Sequence, residues 1–110
     1  MKRRKIDVIF DGEKNSPFSI EVDEAETFFE RARGLIGRVS PSPGCGFLIP
    51  KCNAIHTFFM SYAIDAYFLD SAGRVVKIVK GIKPWKLFVW GTWRAKKVIE
   101  SAAGALPDFK

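Results

Sequence analysis

Residues 64–82 read IDAYFLDSAGRVVKIVKGI. Two runs rich in aliphatic, aromatic and β-branched residues flank a short polar turn, the pattern of a β-hairpin. Gly73 supplies the residue free to take positive φ in that turn. This hairpin commits the chain to a sheet-based fold. Upstream, CNAIHTFFMSYA (52–63) is a mostly apolar approach to the hairpin, read over 52–60 as a further strand. Downstream, KPWKLFVWGTW (83–93) is aromatic and extended, whereas RAKKVIESAAG (94–104) fits helix or strand.

The N-terminal part repeats the hairpin logic. KIDVIF (5–10) alternates, DGEKNSP (11–17) is a turn cluster, and FSIEV (18–22) pairs back, so residues 5–22 read as a second hairpin. Asp23 then has the chemistry of an N-cap, and Glu26 completes a capping-box pattern. Ala25, Phe28, Phe29, Ala32, Leu35 and Ile36 recur at helical spacing, which predicts one packed helix over about residues 23–36. SPSPGCG (40–46) predicts a rigid loop. The fold class expected is α+β and mainly β: a small, curved antiparallel sheet or barrel-like domain with that one helix.

With 110 residues the chain is long enough for one core. A single domain over 1–110 is expected, with a basic N-terminal arm at 1–5 and a flexible tail at 105–110. The net charge of +6 is unevenly spread. Residues 2–5 carry +4, residues 6–70 carry −5, and residues 71–99 hold eight basic side chains and no acidic one. No apolar run reaches the roughly 18–20 residues of a membrane helix. The basic start lacks the apolar stretch of a signal peptide, so a cytoplasmic location is expected and no membrane partner. Two cysteines are too few for a disulfide framework, although spacing alone leaves open one bridge between Cys45 and Cys52.

TFFERARGLIGR (27–38), CNAIHTFFMSYAIDAYFLDSAGRVVKIVKGIKPW (52–85) and VIESAAG (98–104) together resemble the bacterial and archaeal family called domain of unknown function 192. The blocks fall in the family's order over about residues 17–104. The resemblance implies a small, mainly β, barrel-like domain. It implies no activity, because the family has no established one and hence no catalytic residues to transfer. The family pattern continues beyond the A-G block into a further helix and strand, so the closing part of a barrel is expected to be missing or otherwise supplied. Members often follow a signal peptide or lipobox, and that envelope location does not transfer here.

Three chemistries compete for the polar residues. Cys45, Cys52 and His56 are the soft ligands, but on an extended strand Cys52 and His56 would lie roughly 13 Å apart. That is too far to share the four short bonds of a structural zinc. No metal and no cofactor are therefore expected. The same separation weakens a thiol–imidazole pair oriented by Asp65, which leaves a small-molecule enzyme using His56 with Cys45 or Cys52 as an alternative. Asp65 lies in an apolar run, and a buried carboxylate needs partners. Those expected are the Thr57 hydroxyl, backbone N–H groups, or Arg33 or Arg38. A small polar pocket formed by His56, Thr57, Met60, Asp65, Arg33 and Arg38 is one candidate site. The other is a basic–aromatic surface within 74–97: Lys77, Lys80, Lys83, Trp85, Lys86, Trp90, Trp93 and Arg94. The function expected is a non-enzymatic binding or accessory module. Its partner would be a protein or a second copy, with a single-stranded nucleic acid as the alternative for the basic–aromatic stretch.

Overall fold

The computed structural model describes residues 2–9, 17–27, 44–57, 60–86, 88–104 and 106. Eight strands follow one another: β1 (Lys2–Ile9), β2 (Pro17–Glu24), β3 (Cys45–Pro50), β4 (Ala54–Ile55), β5 (Ile64–Leu69), β6 (Val75–Ile82), β7 (Val89–Trp90) and β8 (Lys97–Ala102). Six of them form one sheet in the order β1-β2-β3-β8-β5-β6, and β4 pairs with β7 in a small second sheet. The fold is thus mainly β, and the described residues contain no helix.

Both expected hairpins form. β1 pairs antiparallel with β2 from Lys2↔Glu24 to Ile9↔Pro17, and β5 with β6 from Ile64↔Ile82 to Leu69↔Val75. In the β5–β6 turn the Asp70 carboxylate accepts from Ala72 N (2.9 Å) and Arg74 N (3.0 Å), while Gly73 adopts φ 84°. Side-chain capture of nearby N–H groups, plus a residue tolerant of positive φ, is what the turn demands. The ambiguous 94–104 segment contains β8, a central strand between β3 and β5.

Three expectations require correction. The sheet is mixed, because β2 and β3 run parallel through Glu21↔Cys45 to Glu24↔Leu48. Nor is it a closed barrel: β1 and β6 are the two edges of the sheet, and among the described residues Ile9 reaches the turn before β6 through a bridge to Arg74 and a bond to Gly73 O. The expected helix does not begin at Asp23, since Asp23 and Glu24 end β2, where they face Arg3 and Lys2 across the ladder. Ala25 continues this pairing by donating to Leu48 O at 2.9 Å. The capping-box pattern competes here with a sheet ladder on both sides, and the ladder satisfies more backbone groups. Residues 28–36 of the expected helix, and Arg33 and Arg38, lie outside the described residues.

Other segments also differ from expectation. Among the described residues of 52–60, the strand content is the two-residue β4. Cys45 begins β3 instead of sitting in a loop. The basic residues Lys2–Lys5, expected as an arm, form the first half of β1. Of the expected tail, Leu106 is buried, and 105 and 107–110 lie outside the described residues.

The sheet buries both faces. On one, Phe47, Ile49, Ile64, Ala66, Phe68 and Val98 pack with Ala25, Ile55, Met60, Ile82 and Ala95. On the other, Val8, Ile20, Val22, Leu48, Tyr67, Leu69, Val75, Ile99 and Leu106 form a second cluster. Every residue of β5 is consequently buried, which accounts for its nearly unbroken apolar sequence.

Candidate functional site

Among the described residues of the expected polar pocket, Asp65 and Thr57 take their side-chain hydrogen-bond partners from different parts of the chain. Asp65 is 1% exposed, and its partners are backbone groups: Gly81 N donates to Oδ1 at 2.8 Å and Gly104 N to Oδ2 at 2.9 Å. Both glycines have positive φ, 63° and 79°. Gly81 lies where the β5–β6 register shifts between Ile64 and Ala66, so Asp65 holds a bulge in β6 and the turn leaving β8. Glycine inside a strand commonly marks such a bulge, and Gly81 in VVKIVKGI is that signal. Of the three kinds of partner expected for Asp65, backbone N–H groups are those observed. Met60 is a core side chain, whereas His56 is exposed.

Thr57 is fully buried and does a different job from the one expected. Its hydroxyl donates to Lys83 O at 2.7 Å and accepts from Lys86 N at 2.8 Å. Its backbone N donates to Lys86 O at 3.0 Å, and its carbonyl accepts from Trp85 N at 2.7 Å. One residue thereby staples the Lys83–Lys86 turn, at whose corner Trp85 is held at φ 70°. Positive φ is uncommon for a bulky residue and persists only where the surroundings impose it.

That turn opens the basic–aromatic segment. Trp85 (58%), Phe88 (66%), Trp90 (46%) and Trp93 (77%) are the exposed large hydrophobic residues among the described ones, and all lie within nine positions. Lys77, Lys80, Lys83, Lys86 and Arg94 are exposed beside them in sequence. The Lys77 amine donates to Trp90 O at 2.7 Å, linking β6 to β7. Gly91 N donates to Asn53 O at 2.8 Å. A Cβ on Gly91 would sit 2.3 Å from the Phe68 ring, so the backbone rests directly on the core. The segment is therefore anchored from beneath while its large rings face solvent. Large apolar side chains left exposed in one stretch of chain mark a candidate interaction site.

Three acidic residues of β2 are already paired. Across β1–β2, Arg3 pairs with Asp23 at 2.8 Å and with Glu21 at 3.5 Å, and Arg4 pairs with Glu24. The Asp23 charge raises the pKa of Arg3. Ser19 donates to Asp7 at 2.6 Å. The N-terminal cations and the β2 anions thus neutralise one another locally, and the 71–99 cations face no acidic residue of their own segment.

The pattern-based reading passed over Glu100. It is 3% exposed on β8, with Phe47 and Ala66 as its register partners, and burial pushes its carboxyl up to about 8. Tyr62 lies near enough for the Glu100 charge to add to burial in raising its phenol, whose oxygen lacks a hydrogen-bond partner. The available signal was one acid inside VIESA, between apolar and small residues.

Thiol chemistry fares less well. Neither cysteine forms a disulfide. Cys45 lies 3.7 Å from the Arg3 guanidinium on β3, while the Cys52 thiol donates to Ala54 O at 3.0 Å. An open cleft of about 360 Å³ is lined by Lys51, Cys52, Asn53, Ala95 and Lys96, none of them from the expected polar pocket. No group of three or more potential metal ligands occurs among the described residues. No helix among them is long and apolar enough to cross a membrane.

Comparison with known proteins agrees with the fold and leaves the activity open. A UPF0127 protein of Pyrococcus horikoshii is 36% identical over 107 residues, covering 94% of this chain and 90% of the relative. A UPF0127 protein of Thermococcus sibiricus is 37% identical over 97 residues, but this chain spans only 62% of its length. Two crystal structures share the fold at 18% identity. One, a proposed transcription regulator from Sinorhizobium meliloti, has a TM-score of 0.79 and covers 94% of this chain and 83% of its own. The other, a protein of unknown function from Novosphingobium aromaticivorans, has a TM-score of 0.76 and covers 93% and 74%. The profile of DUF192, described as "Uncharacterized ACR", matches residues 6–110, and the chain belongs to that family of uncharacterised function.

Proposed function

We propose that the protein is a non-enzymatic binding module whose contact surface is the aromatic–cationic segment from Lys77 to Arg94 and whose partner is anionic. One observation carries this reading: the exposed large hydrophobic residues among those described are Trp85, Phe88, Trp90 and Trp93, with Lys83 and Lys86 flanking Trp85 and Arg94 following Trp93. The polar-pocket alternative loses force because both Asp65 oxygens already accept from backbone N–H groups. The enzyme alternative loses force because the Cys52 thiol donates to Ala54 O and Cys45 lies beside the Arg3 guanidinium. Docking of the basic face onto the acidic face of a second copy is weakened as well, because Arg3 and Arg4 occupy the β2 carboxylates.

Retention on immobilised heparin and polyglutamate tests this proposal. Lys83→Ala/Lys86→Ala/Arg94→Ala is expected to elute at clearly lower salt than the parent, with its melting temperature unchanged. Arg3→Ala/Arg4→Ala should elute close to the parent. Equal losses in the two variants, or no retention of the parent at 50 mM salt, would refute the assignment.

A further inference from the structure

Resting on that reading of the surface, we infer that its ligand is a single-stranded nucleic acid, held by base stacking on Trp85, Phe88, Trp90 and Trp93 and by phosphate contacts to the neighbouring cations. Three observations lead to this ligand class. The first concerns the kind of apolar side chain exposed. Among the described residues no large aliphatic side chain is exposed; the exposed large hydrophobics are three tryptophans and a phenylalanine. Tryptophan also anchors protein interfaces, and it is the cation next to the rings in sequence that favours a nucleic acid over those partners. Flat rings are what a ligand with flat faces selects, and every base has a π-face on which to stack.

The second is the charge pattern. Lys83 and Lys86 flank Trp85, and Arg94 follows Trp93, so each end of the aromatic run has a cation beside a ring. Residues 71–99 contain no acidic side chain that would repel a phosphate backbone or compensate these cations. An isologous dimer through this face would set two such cationic segments against each other, a like-charge contact that opposes association. A polyanion satisfies the charge and the rings together.

The third is rigidity. Thr57 fixes the Lys83–Lys86 turn through four hydrogen bonds, and Gly91 seats the backbone on Phe68. Rings mounted on a fixed backbone lose less freedom when a base stacks on them, which favours binding. Stacking needs bases with open faces, and a duplex conceals them, so single strands are the form that fits.

The full chain is titrated with fluorescein-labelled (dT)20 and with oligo(U) of equal length, reading anisotropy and tryptophan quenching. The comparison ligands are a 20-base-pair duplex, heparin and vesicles containing phosphatidylserine. Expected are binding of the single strands at least about tenfold tighter than of the duplex or heparin, with quenching of tryptophan emission. With some four phosphate contacts, affinity should fall roughly 50-fold between 50 and 200 mM salt. Trp85→Ala/Trp93→Ala is expected to weaken single-strand binding tenfold or more while leaving the heparin elution position and the melting temperature unchanged. Equal affinity for heparin and (dT)20, with no effect of the tryptophan substitutions, would overturn the stacking inference but leave the anionic-partner reading intact. Preferential binding to vesicles would overturn the ligand class. Failure to bind any polyanion at 50 mM salt would sink both.

Discussion

Removing the Asp65 carboxylate should be among the most destabilising single changes on the sheet. Asp65 receives Gly81 N at 2.8 Å and Gly104 N at 2.9 Å, one on each oxygen, from a position 1% exposed. Hydrogen bonds to a charged acceptor contribute about 1.5–3 kcal/mol each, and orphaned donors add a desolvation cost. Gly81 and Gly104 are exposed residues, so water can reach part of what Asp65→Ala frees. That places the expected loss at about 2–4 kcal/mol, near the lower end for two bonds. With a urea m-value of about 1.5 kcal/mol/M, the midpoint falls by roughly 1–3 M at unchanged m. Asp65→Asn keeps one acceptor oxygen but turns an NH2 toward the second donor, so its loss should be about half as large. Urea denaturation followed by far-UV circular dichroism is the assay. A variant within 0.5 kcal/mol of the parent would show that these two bonds do not hold the bulge and the turn together. A stable Asp65→Ala protein with altered ligand binding would return Asp65 to the list of site residues.

Two further outcomes follow from buried polar groups. Glu100 titrates near 8 in the folded chain, above its unfolded value of 4.5, because burial disfavours its charged form. The native state therefore holds a proton that the unfolded chain has lost. Glu100's contribution is fully present below pH 4.5 and is lost as pH rises toward 8. The slope is at most about 1.4 kcal/mol per pH unit, and Glu100→Gln should flatten it in urea titrations at pH 5–8. Parallel pH profiles for parent and variant would contradict that assignment. Thr57→Val removes the hydroxyl that bridges Lys83 O and Lys86 N, with an expected cost of about 1–3 kcal/mol. Acrylamide quenching and time-resolved anisotropy should report greater mobility of Trp85, and a turn equally rigid in the variant would argue against the staple.

The two hairpins were legible because each rests on local chemistry. IDAYFLD and VVKIVKGI carry strand propensity on both sides of a turn whose Asp70 and Gly73 meet its geometric needs within five residues. The aromatic–cationic segment was legible too, since it is contiguous in sequence. What pattern could not supply was the fate of residues whose partners lie far along the chain. Asp23 and Glu26 spell a helix start, yet Asp23 pairs with Arg3 twenty positions away and with a parallel neighbour at Phe47. Thr57 and Asp65 looked like companions in one pocket. The fold sends the first to the 83–86 turn and the second to Gly81 and Gly104.

By itself, then, the sequence determined a β-dominated fold, the positions of its hairpins and the family, because alternation, turn chemistry and block order are local or linear properties. Only the tertiary structure decided that the sheet is mixed and open and that the β2 acids are neutralised by β1. It alone also decided that the three tryptophans and Phe88 face water while Glu100 does not. Those outcomes depend on which strands become neighbours, and strand order is fixed by long-range burial of both sheet faces, a quantity no short window of residues contains.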